Sequence, residues 1–170
     1  MGKVIAVCGK ICSGKTWYGR QWLRRHPGVL LSCDDCMLAL YRPELGDAFD
    51  DAAKRAKAYL HDRAAEIAAA GCDVLLDWGF WTREERQKVA AFYRAKGIKL
   101  EWHYVEIGDD AWRRNIQDRN VKVRSGVIQA YYVDEGLMKK CMARFEPPES
   151  SEIQRRIPWE TLTQPEQILP

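Results

Sequence analysis

The sequence has no long uninterrupted hydrophobic run. Of its 170 residues 46% are hydrophobic and 30% are charged, and the two kinds are interleaved along the chain. No segment is therefore apolar over the length that a helix needs to cross a bilayer. The first apolar stretch, Val4–Cys8, is too short for the core of a signal peptide, and no cleavage site follows it. These absences favour a cytoplasmic protein with no membrane partner.

The sequence also has little net charge, +3 at pH 7 with His neutral. Lys and Arg alternate with Asp and Glu instead of forming the basic clusters typical of dedicated nucleic-acid binders, so a nucleic-acid substrate is neither required nor excluded. Six cysteines are present, but Cys33-Asp34-Asp35-Cys36 has no second CxxC or paired His that would complete a zinc site. The chemistry must therefore be inferred from motifs.

Strand-like and helix-like segments alternate, which predicts an α/β fold with a mostly parallel sheet in one domain spanning 1–170. The predicted strands are Lys3–Cys8, Val29–Ser32, Val74–Asp77 and Ile98–Tyr104, the fourth with one less buried face because its residues alternate. The predicted helices are Thr16–Arg25, Asp47–Ala70, Thr82–Lys96, Asp109–Asn120 and Asp134–Phe145. The C-terminal tail, about 147–170, either adds a last strand around Ile153–Ile157 or covers a sheet edge.

A glycine-rich motif of the form GxxxxGK[ST] lies between the first predicted strand and the first helix. Its residues are Gly9, Lys10, Ile11, Cys12, Ser13, Gly14, Lys15 and Thr16. The glycines allow the backbone to turn so that its N–H groups converge on phosphate oxygens, at the positive end of the helix dipole. Lys15 is suited to bridge the β- and γ-phosphates, and the Thr16 hydroxyl to bind Mg²⁺. The motif predicts an ATP site, with GTP left open because no base-reading motif is present.

Carboxylates follow two more of the predicted strands. Asp77 ends the third strand and is the candidate to hold Mg²⁺ with Thr16. Asp34 and Asp35 follow the second strand, and in a parallel sheet all these strand ends face one crevice. One of the two, with Asp34 preferred, can accept the proton of an acceptor hydroxyl as the γ-phosphoryl group moves. After Asp77 the chain offers no Gln or Glu to orient water, which favours a kinase over an ATPase.

Cationic and aromatic residues complete the predicted site. Arg114 or Arg119, on a helical lid of about 109–126, is the candidate to close over the transferring phosphoryl group. The candidate substrate contacts are Asp35, Tyr41, Trp78, Phe80 and Trp81. Aromatic walls with a few acids suit a small polyhydroxylated or cationic molecule, and also a stacked base of single-stranded nucleic acid.

In this order these motifs resemble the small P-loop kinases of the AAA type and zeta-toxin-like group, related to polynucleotide kinase and chloramphenicol phosphotransferase. The resemblance runs from about Val4 to Asn120: the P-loop, an Asp after strand two, an Asp followed by a TxEER-like helix, and an RN-rich segment. It implies a three-layer fold with a five-stranded sheet in the order 2-3-1-4-5. It also implies a catalytic role for Asp34, nucleotide binding by Lys15 and Thr16, a strand-three role for Asp77, and a lid role for Arg114 or Arg119.

The chain departs from polynucleotide kinases three residues after the catalytic Asp, where they carry Arg and this sequence has Met37. Arg42 or Arg83 could compensate. The leading hypothesis is therefore an ATP- and Mg²⁺-dependent transfer of the γ-phosphoryl group to a hydroxyl of a small molecule, a metabolite or antibiotic-like compound. A 5′-hydroxyl polynucleotide kinase and a non-catalytic ATP-binding switch or accessory module are the alternatives. The sequence does not predict an oligomeric state.

Overall fold

One all-parallel sheet organises the chain in this computed structural model, which describes residues 1–41 and 46–162. The spatial order is β2-β3-β1-β4-β5, which confirms the predicted 2-3-1-4-5. The strands are β1 Val4–Cys8, β2 Gly28–Ser32, β3 Asp73–Asp77, β4 Leu100–Glu106 and β5 Arg155–Pro158. The tail thus supplies a fifth strand, as one of the two alternatives for it expected.

Seven helices lie among the described residues. They are α1 Lys15–Leu23, α2 Cys33–Leu40, α3 Phe49–Ala69, α4 Arg83–Ala95, α5 Asp109–Arg124, α6 Glu135–Arg144 and α7 Trp159–Leu162, with a 3₁₀ turn at Gly46–Ala48 before α3. Thr82 caps α4 by accepting a hydrogen bond from the Glu85 amide at 3.1 Å, as the predicted capping pattern requires. In the described part of the chain, no helix is both long and apolar enough to span a membrane.

The sequence analysis did not predict α2. The segment expected as a loop is a helix that begins directly after β2, so Asp34 and Asp35 lie in its first turn. The Ser32 hydroxyl caps this helix by accepting a hydrogen bond from the Asp35 amide at 3.2 Å. Cys33 and Met37, one turn apart, are buried against the core. The two carboxylates therefore stand on a rigid, packed element.

The helices cover both faces of the sheet. On one face α2, α3 and α4 pack on alternate residues of β1, β3 and β4, with Ala6, Leu76 and Trp102 at the centre. On the other face α1 and α7 pack on Ile5 and Leu75. Because β1 and β3 are covered on both sides, they consist almost entirely of buried apolar residues. The result is the three-layer arrangement that the sequence predicted.

The expectation of a less buried face on β4 is wrong. His103, on the face predicted to be polar, is only 1% exposed, because α1 covers it and β5 pairs with β4 on its outer edge. The Tyr18 hydroxyl lies 2.7 Å from His103 Nδ1. Burial, together with nearby Arg155, lowers the pKa of His103 to about 4, so the imidazole is neutral at pH 7. A single buried polar residue with a hydrogen-bond partner thus produced the misleading alternation.

A third apolar cluster joins the lid helices to the glycine-rich loop. Ile107, Trp112 and Ile116 from the α5 region pack with Leu137 and other residues of α6. Ile11 and Cys12 of the loop contact the same cluster. The loop after β1 is therefore supported from outside the sheet by α5 and α6.

Candidate active site

A cavity of about 950 Å³ opens at the carboxyl ends of β1, β2 and β3. One end is lined by the loop residues 11–16, and the other by side chains from α3, α6 and the segment after β3. Asp34 and Asp77 line it between these ends. Ligands of open parallel sheets bind at this edge, so the cavity is the candidate active site.

The glycine-rich loop has the backbone of a phosphate-binding turn. Gly9, Cys12 and Gly14 have positive φ angles of 151°, 58° and 94°. A Cβ added at Gly9 would lie 2.6 Å from the Val105 carbonyl oxygen, so a larger residue does not fit there. The buried hydroxyl of Ser13 has no hydrogen-bond partner among the described residues, and a bound phosphate oxygen would supply one.

Lys15 begins α1 and turns back over the loop. Its Nζ donates to the carbonyl oxygens of Lys10 at 2.7 Å and of Gly9 at 3.2 Å. Burial lowers the pKa of Lys15, while the carboxylates of Asp77 and Asp34 act in the opposite direction. The cation is thus held at the cavity floor, between the loop and two acids.

Thr16 and Asp77 meet at the end of β3. The Thr16 hydroxyl bonds to the Asp77 carboxylate, and burial raises the pKa of Asp77 while this bond and Lys15 oppose the rise. The described chain contains no group of three His, Cys, Asp or Glu residues placed to hold a metal. Two adjacent oxygen ligands nevertheless fit Mg²⁺, which takes few protein ligands and completes its shell with phosphate oxygens and water. The residues present therefore suit a metal that arrives with a nucleotide.

Of the two acids on α2, Asp34 lines the cavity and Asp35 does not. The Asp34 carboxylate reaches solvent through the cavity but is otherwise surrounded by protein atoms. This burial raises the pKa of Asp34, whereas Arg119 and Lys15 nearby pull it down. A carboxylate with these opposing influences can hold and release a proton beside a bound phosphate.

The structure separates the two candidate lid arginines. Arg119 lines the cavity and interacts with Asp34 and with the Cys12 side chain. Its Nε donates to the Tyr131 carbonyl oxygen at 3.3 Å, which ties α5 to the segment before α6. Arg114 is exposed and lies outside the cavity lining.

Arg119→Ala is expected to lower phosphoryl transfer about 100-fold or more, because a positioned cation at a water-poor site strongly stabilises developing negative charge. Arg114→Ala, the matched control one turn away on the same helix, is expected to stay within about twofold of wild type. The initial rate of transfer at saturating ATP measures both variants. Equal losses in the two would contradict the separation of roles drawn from the structure.

The predicted aromatic contacts divide into three groups. Trp78 and Trp81 line the cavity. Phe80 does not: it is fully buried, and its ring packs edge-on against Trp102 at a centroid distance of 5.0 Å, so the expectation that it faces the crevice is wrong. Tyr41, just after α2, is partly exposed but outside the lining. Because the chain turns after β3, every second aromatic residue there points into the core.

Several cavity residues were not predicted. Phe49 on α3, Asn115 on α5, and Leu137 and Cys141 on α6 all line the cavity. The spacing of Leu137 and Cys141 is the only sequence signal, because residues four apart share a helix face. No local pattern showed that this face meets the phosphate loop. These side chains come from distant parts of the chain and converge only in the folded state.

The residues weighed as substitutes for a phosphate-binding Arg are not in the cavity. Met37 is 1% exposed and packs in the core. Arg83 forms a two-pronged pair with the Glu149 carboxylate at 2.9 and 3.1 Å, facing away from the site. Arg42 lies outside the described residues.

Comparison with known proteins places this geometry in a family. The model of a family described as an AAA domain matches residues 4–148. No curated protein sequence is significantly similar to the chain.

Solved structures of kinases share the fold at low sequence identity. A sugar kinase from Janibacter sp. HTCC2649 has a TM-score of 0.65 at 13% identity, with 96% of this chain and 91% of that chain covered. The Mycobacterium tuberculosis APS kinase CysC, in complex with AMPPNP and APS, has a TM-score of 0.66 at 18% identity and coverages of 96% and 94%. Chaetomium thermophilum Kti12, in complex with ADP-AlF3, has a TM-score of 0.67 at 17% identity and coverages of 97% and 94%.

Proposed function

Because the chain belongs to this AAA domain family and has the fold of P-loop kinases, we propose that it transfers the γ-phosphoryl group of ATP to a hydroxyl of a small molecule. The observation that carries the proposal is the position of Asp34. A carboxylate able to act as a base lines the same cavity as the phosphate loop, beside Lys15 and Arg119. A protein that only binds nucleotide needs the loop but has no need of this acid.

The reaction follows from these positions. The amides of the loop and the Lys15 ammonium hold the β- and γ-phosphates. Asp34 accepts the proton of the acceptor hydroxyl, the acceptor oxygen bonds to the γ-phosphorus, and the bond from that phosphorus to the β,γ-bridging oxygen breaks, releasing ADP. Arg119 stabilises the negative charge that develops on the transferred group. Bound Mg²⁺, held by Thr16 and Asp77, would neutralise charge on the phosphate oxygens.

The far end of the cavity supports a small acceptor with an apolar part. Phe49, Trp78, Trp81 and Tyr131 provide aromatic surface, and Phe49 packs edge-on against Tyr131 at 5.3 Å. Asp134 is the one acid of this end, and it also caps α6. Such a wall binds a ring or an aliphatic skeleton by contact while leaving its hydroxyl free to reach Asp34.

The test is transfer of labelled γ-phosphate from ATP. Wild-type protein is incubated with a metabolite extract and, separately, with a pool of 5′-hydroxyl oligonucleotides. Label in a small-molecule fraction is the expected result, and fractionation then identifies the acceptor. Label in the oligonucleotides, with binding that weakens steeply as salt increases, would instead favour a polynucleotide kinase. ATP binding with no transfer to either pool would favour a nucleotide-binding switch.

A further inference from the structure

Four consecutive carbonyl groups of the phosphate loop each accept a hydrogen bond from a side chain. Lys15 donates to the first two, those of Gly9 and Lys10. The other two donors come from α5: Trp112 Nε1 lies 2.8 Å from the Ile11 carbonyl oxygen, and Asn115 Nδ2 lies 3.1 Å from that of Cys12. These two donors lie about 100 residues further along the chain than the loop they contact.

The direction of a carbonyl fixes the direction of the next amide, because the peptide group is planar and trans. When the carbonyls of Ile11 and Cys12 point toward α5, the N–H groups of Cys12 and Ser13 point to the other side. Such runs of parallel amides form the anion-binding concavity of a phosphate loop. The two α5 side chains therefore act on the groups that would face the phosphates.

Cys12 is where this support matters most. It is the only residue other than glycine with a positive φ in the described ranges, at 58°. That conformation costs on the order of 1 kcal/mol for a residue with a Cβ. The Asn115 hydrogen bond to its carbonyl holds the peptide in this orientation. A neighbouring pair adds to the support, since Lys10 Nζ lies 2.7 Å from Asp109 Oδ1 at the start of α5.

Trp112, Asn115 and Arg119 are spaced by three and four residues, so they share one face of α5. Asn115 and Arg119 both line the cavity, and the Trp112 ring is buried beneath the loop. We propose that Asn115 and Trp112 are positioning residues that hold the Ile11 and Cys12 carbonyls of the phosphate loop outward, so that the loop amides face the nucleotide phosphates. The proposal rests on the proposed function, because it assumes that this loop binds the phosphates of ATP.

The experiment compares Asn115→Ala and Trp112→Phe with wild type by calorimetric titration of MgATP. Each variant removes one donor, and each is expected to raise the Kd about fivefold to tenfold, the usual effect of one hydrogen bond. Asn115→Asp is expected to raise it further, because a carboxylate would face the Cys12 carbonyl oxygen. Gln117→Ala removes an exposed side-chain amide two residues along α5 and is the matched control, expected to bind within twofold of wild type.

Hydrogen exchange of the loop separates positioning from general destabilisation. In Asn115→Ala the amides of residues 10–14 are expected to exchange faster without nucleotide, while those of α5 keep their protection. Unchanged MgATP affinity in both Asn115→Ala and Trp112→Phe would overturn this inference while leaving the proposed function intact. A wild-type protein that does not bind MgATP would overturn the proposed function, and the inference with it.

Discussion

Asp34→Asn is expected to lower phosphoryl transfer by about 10² to 10⁴-fold, the usual contribution of a general base. The amide keeps the shape of the side chain but cannot accept the acceptor's proton. MgATP affinity is expected to stay within about threefold of wild type or to improve, because the substitution removes a negative charge close to Lys15 and the bound phosphates. A variant that binds ATP and does not transfer phosphate is the outcome specific to a base.

Asp35→Asn is the matched control for this result. It makes the same substitution in the same turn of α2, on a side chain that does not line the cavity. Initial rates at saturating ATP and acceptor, with MgATP titrations alongside, measure both variants. Transfer retained in Asp34→Asn and lost in Asp35→Asn would show that the neighbouring carboxylate is the base.

Lys15→Ala is expected to weaken MgATP binding and to lower transfer by at least about 100-fold, because it removes the charge nearest the β- and γ-phosphates. The variant also frees the Gly9 and Lys10 carbonyls that the ammonium now holds. Both effects act on the phosphates, so affinity and rate fall together, in contrast to Asp34→Asn.

Lys139→Ala serves as the control for the loss of a lysine. Lys139 is exposed on α6, and its ammonium lies 3.9 Å from Glu135, a distance at which a surface pair contributes little. Titration calorimetry and the labelled-phosphate assay are run on both variants. Full transfer activity in Lys15→Ala would contradict the phosphate-binding role given to the loop.

The parts of the site that are local in sequence were the predictable ones. The loop from Gly9 to Thr16 and the acid at the end of β3 follow from short motifs whose residues contact one another directly. The sheet order followed from a resemblance carried by the same motifs. The helix α2 was missed because two adjacent acids suggested a loop, whereas Ser32 as a cap and the packing of Met37 favour a helix.

The remaining parts depend on tertiary contacts. Which of Trp78, Phe80 and Trp81 faces the cavity is decided by the path of the chain after β3, and the spacing of aromatic residues does not encode that path. The contact of Asn115 with the loop has no sequence signal, because it depends on how α5 packs over a segment about 100 residues earlier. His103 shows the reverse case, a polar residue whose burial follows from a strand contributed by the tail.

The position of β1 in the sheet has a consequence for synthesis. β1 leaves the ribosome first, yet its two neighbours are β3 and β4, and the second of these ends at Glu106. The loop that follows β1 gains its α5 contacts only after Asn115 has been made. Contacts this distant in sequence form late and slowly during folding. Nucleotide can therefore bind only when most of the nascent chain has emerged, so ATP binding reports completion of the fold and not its beginning.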